Sequence, residues 1–540
     1  MATHEVLNQV EAIVDVDLYQ ADPILAAQVE VEGGAIHDPL LRGYGRDIGT
    51  ARAIAWGFDA NRHPPTLRTH DAAGHRIDQV DFHPSWHALM ELSVSHRVHS
   101  LPWVTEEGGF VARSAQMMMM AGVEAGHGCP ISMTAAVIPA LRHAPDISKE
   151  WEPLLTSNVY DPRFLPLNAK DGALMGMGMT EKQGGSDVRA NTTRAEPAAG
   201  GEYVVTGHKW FMSAPMSDAF LILAQAPVGL SCFFLPRHLP DGSVNEIRIA
   251  RLKDKLGNRS NASAEVEVEG ATAWLVGEEG RGIATIIEMV NGTRLDCVSG
   301  SAGLMRHAVM QAAHHCSRRR AFGSLLIDKP AMQMVIADLE TEAEAAAVLM
   351  IRLAGAFDRA GDDETEAALR RILTPVAKYW VTKRCTPVVR EALECLGGNG
   401  YVEESPLPRL FRESPLNAIW EGSGNVIALD VVRVLTRETS ALEALKTELD
   451  RARGADPHYD RYLDETWALV AAPLDAEAQA RRITERLAVA TQAALLMARA
   501  DDDVADLFLS SRVGGDHGDL FGTQAPGPGN ARVAAKAVPR

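Results

Sequence analysis

The spacing of apolar positions changes character along the chain, and each change marks a different kind of structure. Up to about residue 172 the apolar residues fall in short helical clusters, broken by the connection Asn61 to Pro65 and including the run Met117 to Met120, so the spacing predicts a helical domain over 1–172. From 173 to 275 the pattern turns to short β-type runs. Tyr203 to Val205, Phe220 to Leu223 and Cys232 to Phe234 precede a stretch in which Ala264, Val266 and Val268 alternate with Glu265, Glu267 and Glu269, the mark of a half-buried strand. Turn signals such as Asp241-Gly242 separate these runs, which suits a compact antiparallel barrel or sandwich and not alternating βαβ units.

The helical period returns over 276–437. Val335, Leu339, Ala343, Ala346, Met350, Leu353 and Phe357 are three or four apart, which puts them on one face of a long amphipathic helix that needs a partner helix to cover it. The last segment, 438–540, begins with the helical ALEALKTELDRAR, breaks at Gly454-Ala455-Asp456-Pro457, resumes as AEAQARRITERLAVATQAALLMARA and ends in a Pro- and Gly-rich tail expected to be loose. The pattern is therefore mainly α with a central β domain, barrel or sandwich: a helical domain, a β domain, a helical bundle and a helical C-terminal extension.

Composition narrows the function. With 46% hydrophobic and 23% charged residues, the 540-residue chain has the proportions of a globular protein and can bury a large core. No run approaches the roughly 18 apolar residues needed to cross a bilayer, and the opening residues mix acids into their apolar positions, so a cytoplasmic protein without a membrane span is expected. Six cysteines lie scattered without a CxxC pair, which points to reduced thiols. A formal net charge of -18 repels polyanions in bulk, so any nucleic-acid contact needs a local basic surface.

Several familiar motifs fail. Gly176-Met177-Gly178 starts like a dinucleotide fingerprint but has Glu181 at the third glycine, and Gly277 to Gly282 lacks the Lys-Ser/Thr of a P-loop. His83/His87 and His96/His99 have helical spacing without an acidic third ligand, so no metal site is expected. Five other segments make sense together. Met179-Thr180-Glu181-Lys182-Gln183-Gly184-Gly185-Ser186-Asp187 offers backbone N–H groups and hydroxyls to a polar ring or phosphates, and Gly207 to Ser213 couples a turn to an aromatic and a hydroxyl. Arg319-Arg320-Ala321-Phe322-Gly323 with Gln333, and Leu396-Gly397-Gly398-Asn399-Gly400-Tyr401, combine cations with close backbone approach. Ile419-Trp420-Glu421-Gly422-Ser423-Gly424-Asn425 holds a carboxylate among glycines and aromatics, as a helix cap or as a base.

In this order and at these separations the five segments resemble the acyl-CoA dehydrogenase flavoprotein family. MTEKQGGSDVRANTTRAE, KWFMSAPMSDAFLILAQ, Asp81-Phe82-His83-Pro84, IWEGSGN and Ser510-Ser511-Arg512-Val513-Gly514-Gly515 are similar to its AidB-type branch, associated with the bacterial adaptive response to DNA alkylation. The resemblance implies a mainly α fold with a central β-barrel, and FAD as cofactor. It places Met177, Met179, Thr180, Gly185 and Ser186 near the flavin and its phosphates, with Trp210, Phe211, Met212 and Ser213 lining the ring. It further gives cofactor contacts to Phe322, Gln333, Ser423 and Asn425, and to Arg319, Gly397 and Gly398 from a neighbouring subunit of a homotetramer. Pro330, Glu394 and Ser423 depart from the family's Gln, Gln and Thr; Ser423 keeps the hydroxyl.

The resemblance also implies a mechanism, in which a glutamate removes the α-proton of an acyl thioester while the β-hydride goes to flavin N5. Glu421 is the candidate base, because the alternative position, before Arg294, holds Thr293. The expected substrate is acyl-CoA-like. The AidB branch also implies an alternative, a protective flavoprotein whose main role is binding duplex DNA through the C-terminal segment with little dehydrogenase activity, with Arg481, Arg482, Arg486 and Arg512 as the contacts. Residues 441–540 hold twelve basic against sixteen acidic side chains, so only a local stripe could serve; ordinary helix-surface ion pairs are the alternative for these arginines. All cofactor segments precede residue 440, so the C-terminal segment is expected to be dispensable for flavin binding.

Overall fold

The fold was analysed in a computed structural model, which describes residues 3–472 and 476–539. Two compact units are each assembled from separated stretches of chain. One, the barrel unit, comprises Arg52–Glu106 and Val123–Asp296; the other, the helical unit, comprises Met1–Ala51, Glu107–Gly122 and Cys297–Arg540. The first 172 residues thus contribute to both.

In the barrel unit a hairpin, β1 (Thr66–His70) and β2 (Arg76–Asp81), is followed by β3 (Met175–Gly178), β4 (Arg194–Pro197), β5 (Glu202–Ser213), β6 (Ala219–Ala226), β7 (Gly229–Pro236), β8 (Ile247–Leu252) and β9 (Ser263–Val276). Five strands close a ring in the order β6-β4-β5-β9-β7 and back to β6, which removes the unpaired edges an open sheet would present. The long β9 offers one edge to β5 and the other first to β8 and then to β7. On β6, one edge takes β3 and then β4, both in parallel, so the barrel is not antiparallel throughout. Ala264, Val266 and Val268 point into a core shared with Val205, Phe220, Ile222, Phe233 and Leu235, while Glu267 and Glu269 face out, as the period of two requires.

The hairpin adds two strands to a region whose spacing predicted a helical domain. Its strands are mostly polar, but Leu67 and Val80 pair across it and pack on the barrel core. Those two contacts give β1 and β2 an inner face that the local sequence shows only weakly.

In the helical unit the Pro330–Arg359 helix corrects the amphipathic reading. Every residue from Ile336 to Phe357 is buried, acidic positions included. Glu340 accepts from Arg306 at 2.6 Å; Glu342 pairs with Arg384 at 2.9 Å and Arg512 at 3.1 Å, and Asp338 with Arg512. Burial alone would raise the Glu342 carboxyl, yet Arg384 and Arg512 hold it down at about 2. Glu344, 3.7 Å from Lys536, is pushed up by burial to about 7. The C-terminal segment supplies two of these cations. Its tail is not loose: Pro528–Lys536 is a helix, Val533, Ala534 and Ala537 are fully buried, and Gln524 Nε2 donates to the Met334 carbonyl at 2.8 Å.

Candidate cofactor and active site

The barrel unit brings the first two segments together. Trp210 N donates to the Thr180 carbonyl at 2.8 Å, and Asn191 Nδ2 to the Met179 carbonyl at 2.8 Å. Gly185 lies so near Thr180 that a Cβ would stand 2.7 Å from its Oγ1. Beneath the loop sits a fully buried ion pair that the sequence reading missed. Lys209 Nζ donates to Glu181 Oε1 at 2.8 Å and to the Leu223 carbonyl at 2.7 Å. The same carboxylate accepts from Thr192 N at 2.7 Å, Thr193 N and Gln183 Nε2. Burial works to raise the Glu181 carboxyl, but Lys209 and these donors hold it at about 2. The signal for this pair was a lysine in a strand position otherwise reserved for the core.

A β-bulge then decides what β5 presents. Lys209 pairs with Val266 and Met212 with Ala264, so Trp210 and Phe211 together face the single Glu265, and a bulge of this kind re-aims side chains. Phe211 is half exposed, and Lys253 Nζ lies 3.4 Å from the Trp210 ring centroid. Met177 is buried in β3, and Met212 enters the barrel core, so its side chain cannot line a ligand; Ser213 Oγ meets Ser263 Oγ at 3.4 Å. Ser186 is exposed on the loop.

The helical unit brings the other three segments to its surface. Arg319 donates to the Asn8 carbonyl, Asn8 Nδ2 donates to the Arg320 carbonyl at 2.8 Å, and Asn399 reaches Gln9 at 3.5 Å. One N-terminal stretch therefore touches both the arginine hairpin and the glycine loop. Gly397 and Gly398 have open space where a Cβ would be, and Gln333 is half-buried in the first turns of the Pro330–Arg359 helix.

Glu421 is one of the few non-glycine residues with positive φ, at 58°, and Gly422 follows at 108°. Such backbone is costly and persists where surrounding contacts over-determine it. Here Lys378, buried on the Glu364–Cys395 helix, donates to the Trp420 carbonyl at 3.0 Å and to the Gly422 carbonyl. Trp420 Nε1 donates to Asn417 Oδ1 at 2.8 Å. Ser423 begins the Gly424–Arg437 helix without a side-chain cap, and both it and Asn425 are exposed. A Cβ on Gly424 would stand 2.7 Å from Lys383 Nζ and 3.2 Å from Arg481 Nη2. Two cations thus gather where a helix N-terminus presents N–H groups, the donor set a phosphate requires. Partial burial and Arg481 push the Lys383 ammonium below its ordinary value, as expected for crowded cations.

The four C-terminal arginines do not form one stripe. Arg486 donates to the Tyr462 carbonyl at 2.9 Å, pairs with Glu465 at 3.1 Å and stacks on Tyr462. Arg512 is turned inward onto Asp338 and Glu342. Arg451 and Arg453 are also ion-paired, to Glu448 and Asp450. Arg481 and Arg482 are exposed, and Arg481 stands beside Gly424. The C-terminal segment is therefore built into the helical unit, with Arg481 beside Gly424 and Arg512 against Asp338 and Glu342.

Comparison with known proteins agrees with this arrangement. Three family descriptions match in succession: the adaptive response protein AidB N-terminal domain over residues 8–162, the acyl-CoA dehydrogenase middle domain over 176–271 and its C-terminal domain over 280–436. The chain is 47% identical to the putative acyl-CoA dehydrogenase AidB of Escherichia coli (strain K12), over 90% of each chain. It belongs to the acyl-CoA dehydrogenase family, in its AidB branch. Members of the acyl-CoA dehydrogenase family are FAD-dependent oxidoreductases acting on CH–CH groups. The crystal structure of Caenorhabditis elegans ACDH-11 in complex with C11-CoA is similar over 99% of this chain and 93% of that one, with 26% identity and a TM-score of 0.84. An acyl-CoA dehydrogenase from Bacillus anthracis complexed with FAD shares the fold, at 17% identity and a TM-score of 0.68, over 84% and 89% of the two chains. Among the described residues no helix is long and apolar enough to cross a membrane.

Proposed function

We propose that the chain is an FAD-containing acyl-CoA dehydrogenase in which Glu421 removes the α-proton of an acyl thioester. The observation that carries this reading is the left-handed turn at Glu421, held by Lys378 on both flanks. A strained residue kept in place by a buried cation is the expected setting of a positioned base. Bound FAD supplies the hydride acceptor. Thr180, Ser186 and Trp210 would hold its flavin side. Within the helical unit Ser423, Asn425, Lys383 and Arg481 offer donors to a phosphate, and Arg481 is a contact the resemblance alone would have assigned to DNA. The complex of C11-CoA with the Caenorhabditis elegans relative supports an acyl-CoA substrate. Purified protein should be yellow, with about one FAD per subunit, and should oxidise short or branched acyl-CoA with an artificial electron acceptor. A preparation that stays colourless in excess FAD would overturn the reading.

A homotetramer is part of this reading. Phe322 is 96% exposed beside Arg319, and Tyr401 is 81% exposed after the glycine loop, which supports burial of both by a neighbouring subunit. Light scattering that finds an FAD-loaded monomer would contradict it. Duplex-DNA binding takes second place, because it rests on Arg481 and Arg482 once Arg486 and Arg512 are engaged inward. With two phosphate contacts the logarithm of affinity should fall with the logarithm of salt with a slope of only about -2, measurable by gel shift.

A further inference from the structure

The two carbonyls flanking Glu421 share one donor, and that donor has no counterpart among the motifs. Lys378 lies in the middle of the Glu364–Cys395 helix, its side chain buried, and its Nζ reaches Trp420 O at 3.0 Å and Gly422 O. These are the residues immediately before and after Glu421, so a single ammonium spans the turn. From the other side Asn417 accepts from Trp420 Nε1 at 2.8 Å and donates to Ser301 Oγ at 3.1 Å, which fixes the indole. The Trp420 N–H closes back on the Leu416 carbonyl at 3.2 Å.

A glutamate with a φ of 58° has no intrinsic reason to stay there, since the left-handed region is unfavourable for residues with a Cβ. Released, the segment would relax, and the carboxylate would leave the orientation that the turn gives it. We propose that Lys378 is the positioning residue of the site: by binding the peptide carbonyls on both sides of Glu421 it keeps the turn left-handed and aims the carboxylate. This rests on the reading of Glu421 as the base.

The test uses the FAD-loaded full chain with Lys378→Met, Lys378→Gln, Asn417→Ala and Glu421→Gln, and butyryl-CoA and isovaleryl-CoA as probes. Flavin content, kcat, KM and exchange of the acyl α-protons in D2O are measured for each. Lys378→Met should keep its flavin and a KM within about threefold, while kcat and α-proton exchange fall together by about 100-fold, the cost of misplacing a reacting group by about 1 Å. Lys378→Gln, which retains a donor, should recover part of the loss. Asn417→Ala, a milder release of the same turn, should lower kcat by about tenfold and serves if Lys378→Met does not fold. If Glu421→Gln is inactive while Lys378→Met, or Asn417→Ala in its place, keeps the wild-type kcat and α-proton exchange, the positioning role is overturned and the base stands. Loss that merely tracks flavin content also overturns it. If Glu421→Gln keeps turnover and exchange, or wild type shows neither, the base reading falls and the positioning role falls with it.

Discussion

Two glutamates sit in glycine-containing loops of this protein, each beside a buried lysine, and the lysines do opposite things. In the barrel unit Lys209 binds the carboxylate of Glu181 itself, at 2.8 Å, along with three other donor residues. In the helical unit Lys378 binds the peptide carbonyls on either side of Glu421. The first arrangement uses the carboxylate as a fastener, which fixes its charge and removes it from chemistry. The second fastens the backbone and leaves the carboxylate's direction as the result. A glutamate whose oxygens carry the hydrogen bonds of a loop is a structural part, whereas at Glu421 a lysine holds the backbone on both flanks.

The contrast can be broken most sharply at the base. Glu421→Gln should lower turnover by about 10²- to 10⁴-fold, with flavin content and melting midpoint close to wild type; an active Glu421→Gln enzyme would make both glutamates structural. Lys209→Met should act in the reverse sense. Leaving Glu181 buried and unpaired costs about 3–5 kcal/mol, so urea unfolding should shift to a much lower midpoint, and the double change Lys209→Met/Glu181→Leu should regain much of it.

Acid provides a gentler probe of the fastener. The Glu181 carboxyl, held at about 2 in the folded protein, lies below the ~4.3 of an unfolded glutamate. Its contribution to stability is therefore complete above about pH 5 and is lost as pH falls towards 2. Hydrogen exchange of the Thr192 and Thr193 amides, both bonded to this carboxylate, should quicken through that window ahead of amides in the Glu364–Cys395 helix. The smallest effect is expected at the surface. Arg482→Ala should change stability by no more than about 0.5 kcal/mol and leave the flavin spectrum unchanged, which checks that the large effects belong to the buried lysines.

What the sequence disclosed follows the range of the interactions involved. The barrel was legible because β9 alternates Ala264, Val266 and Val268 with glutamates, a local signal that the closed sheet confirms. The Pro330–Arg359 helix misled because Asp338, Glu342 and Glu344 read as a solvated face, and the cations that bury them include Arg512 and Lys536 from the far end of the chain. Arg512 misled for the same reason, whereas Arg486 takes the ion-pair alternative the sequence left open, to Glu465 in its own segment. The hairpin was missed because β1 and β2 carry only Leu67 and Val80 inward. Of the site, the glycine segments were legible as motifs. Lys209 and Lys378 were not, because a lysine's burial depends on a partner 28 or 42 residues away.

The docked C-terminal tail also sets an order of events during synthesis. Arg512 reaches Asp338 across 174 residues of chain, and at about 5–20 residues per second a ribosome needs roughly 10–35 seconds to deliver the second after the first. Through that interval the Pro330–Arg359 helix carries carboxylates that will end buried but whose C-terminal cations do not yet exist. Glu340 and Glu342 meet Arg306 and Arg384 earlier in the chain, so it is Asp338 and Glu344 that wait for Arg512 and Lys536. A polypeptide cut short after the cofactor segments would therefore have every motif of the flavoprotein and lack two of the cations that pair with the carboxylates of the helix at its centre.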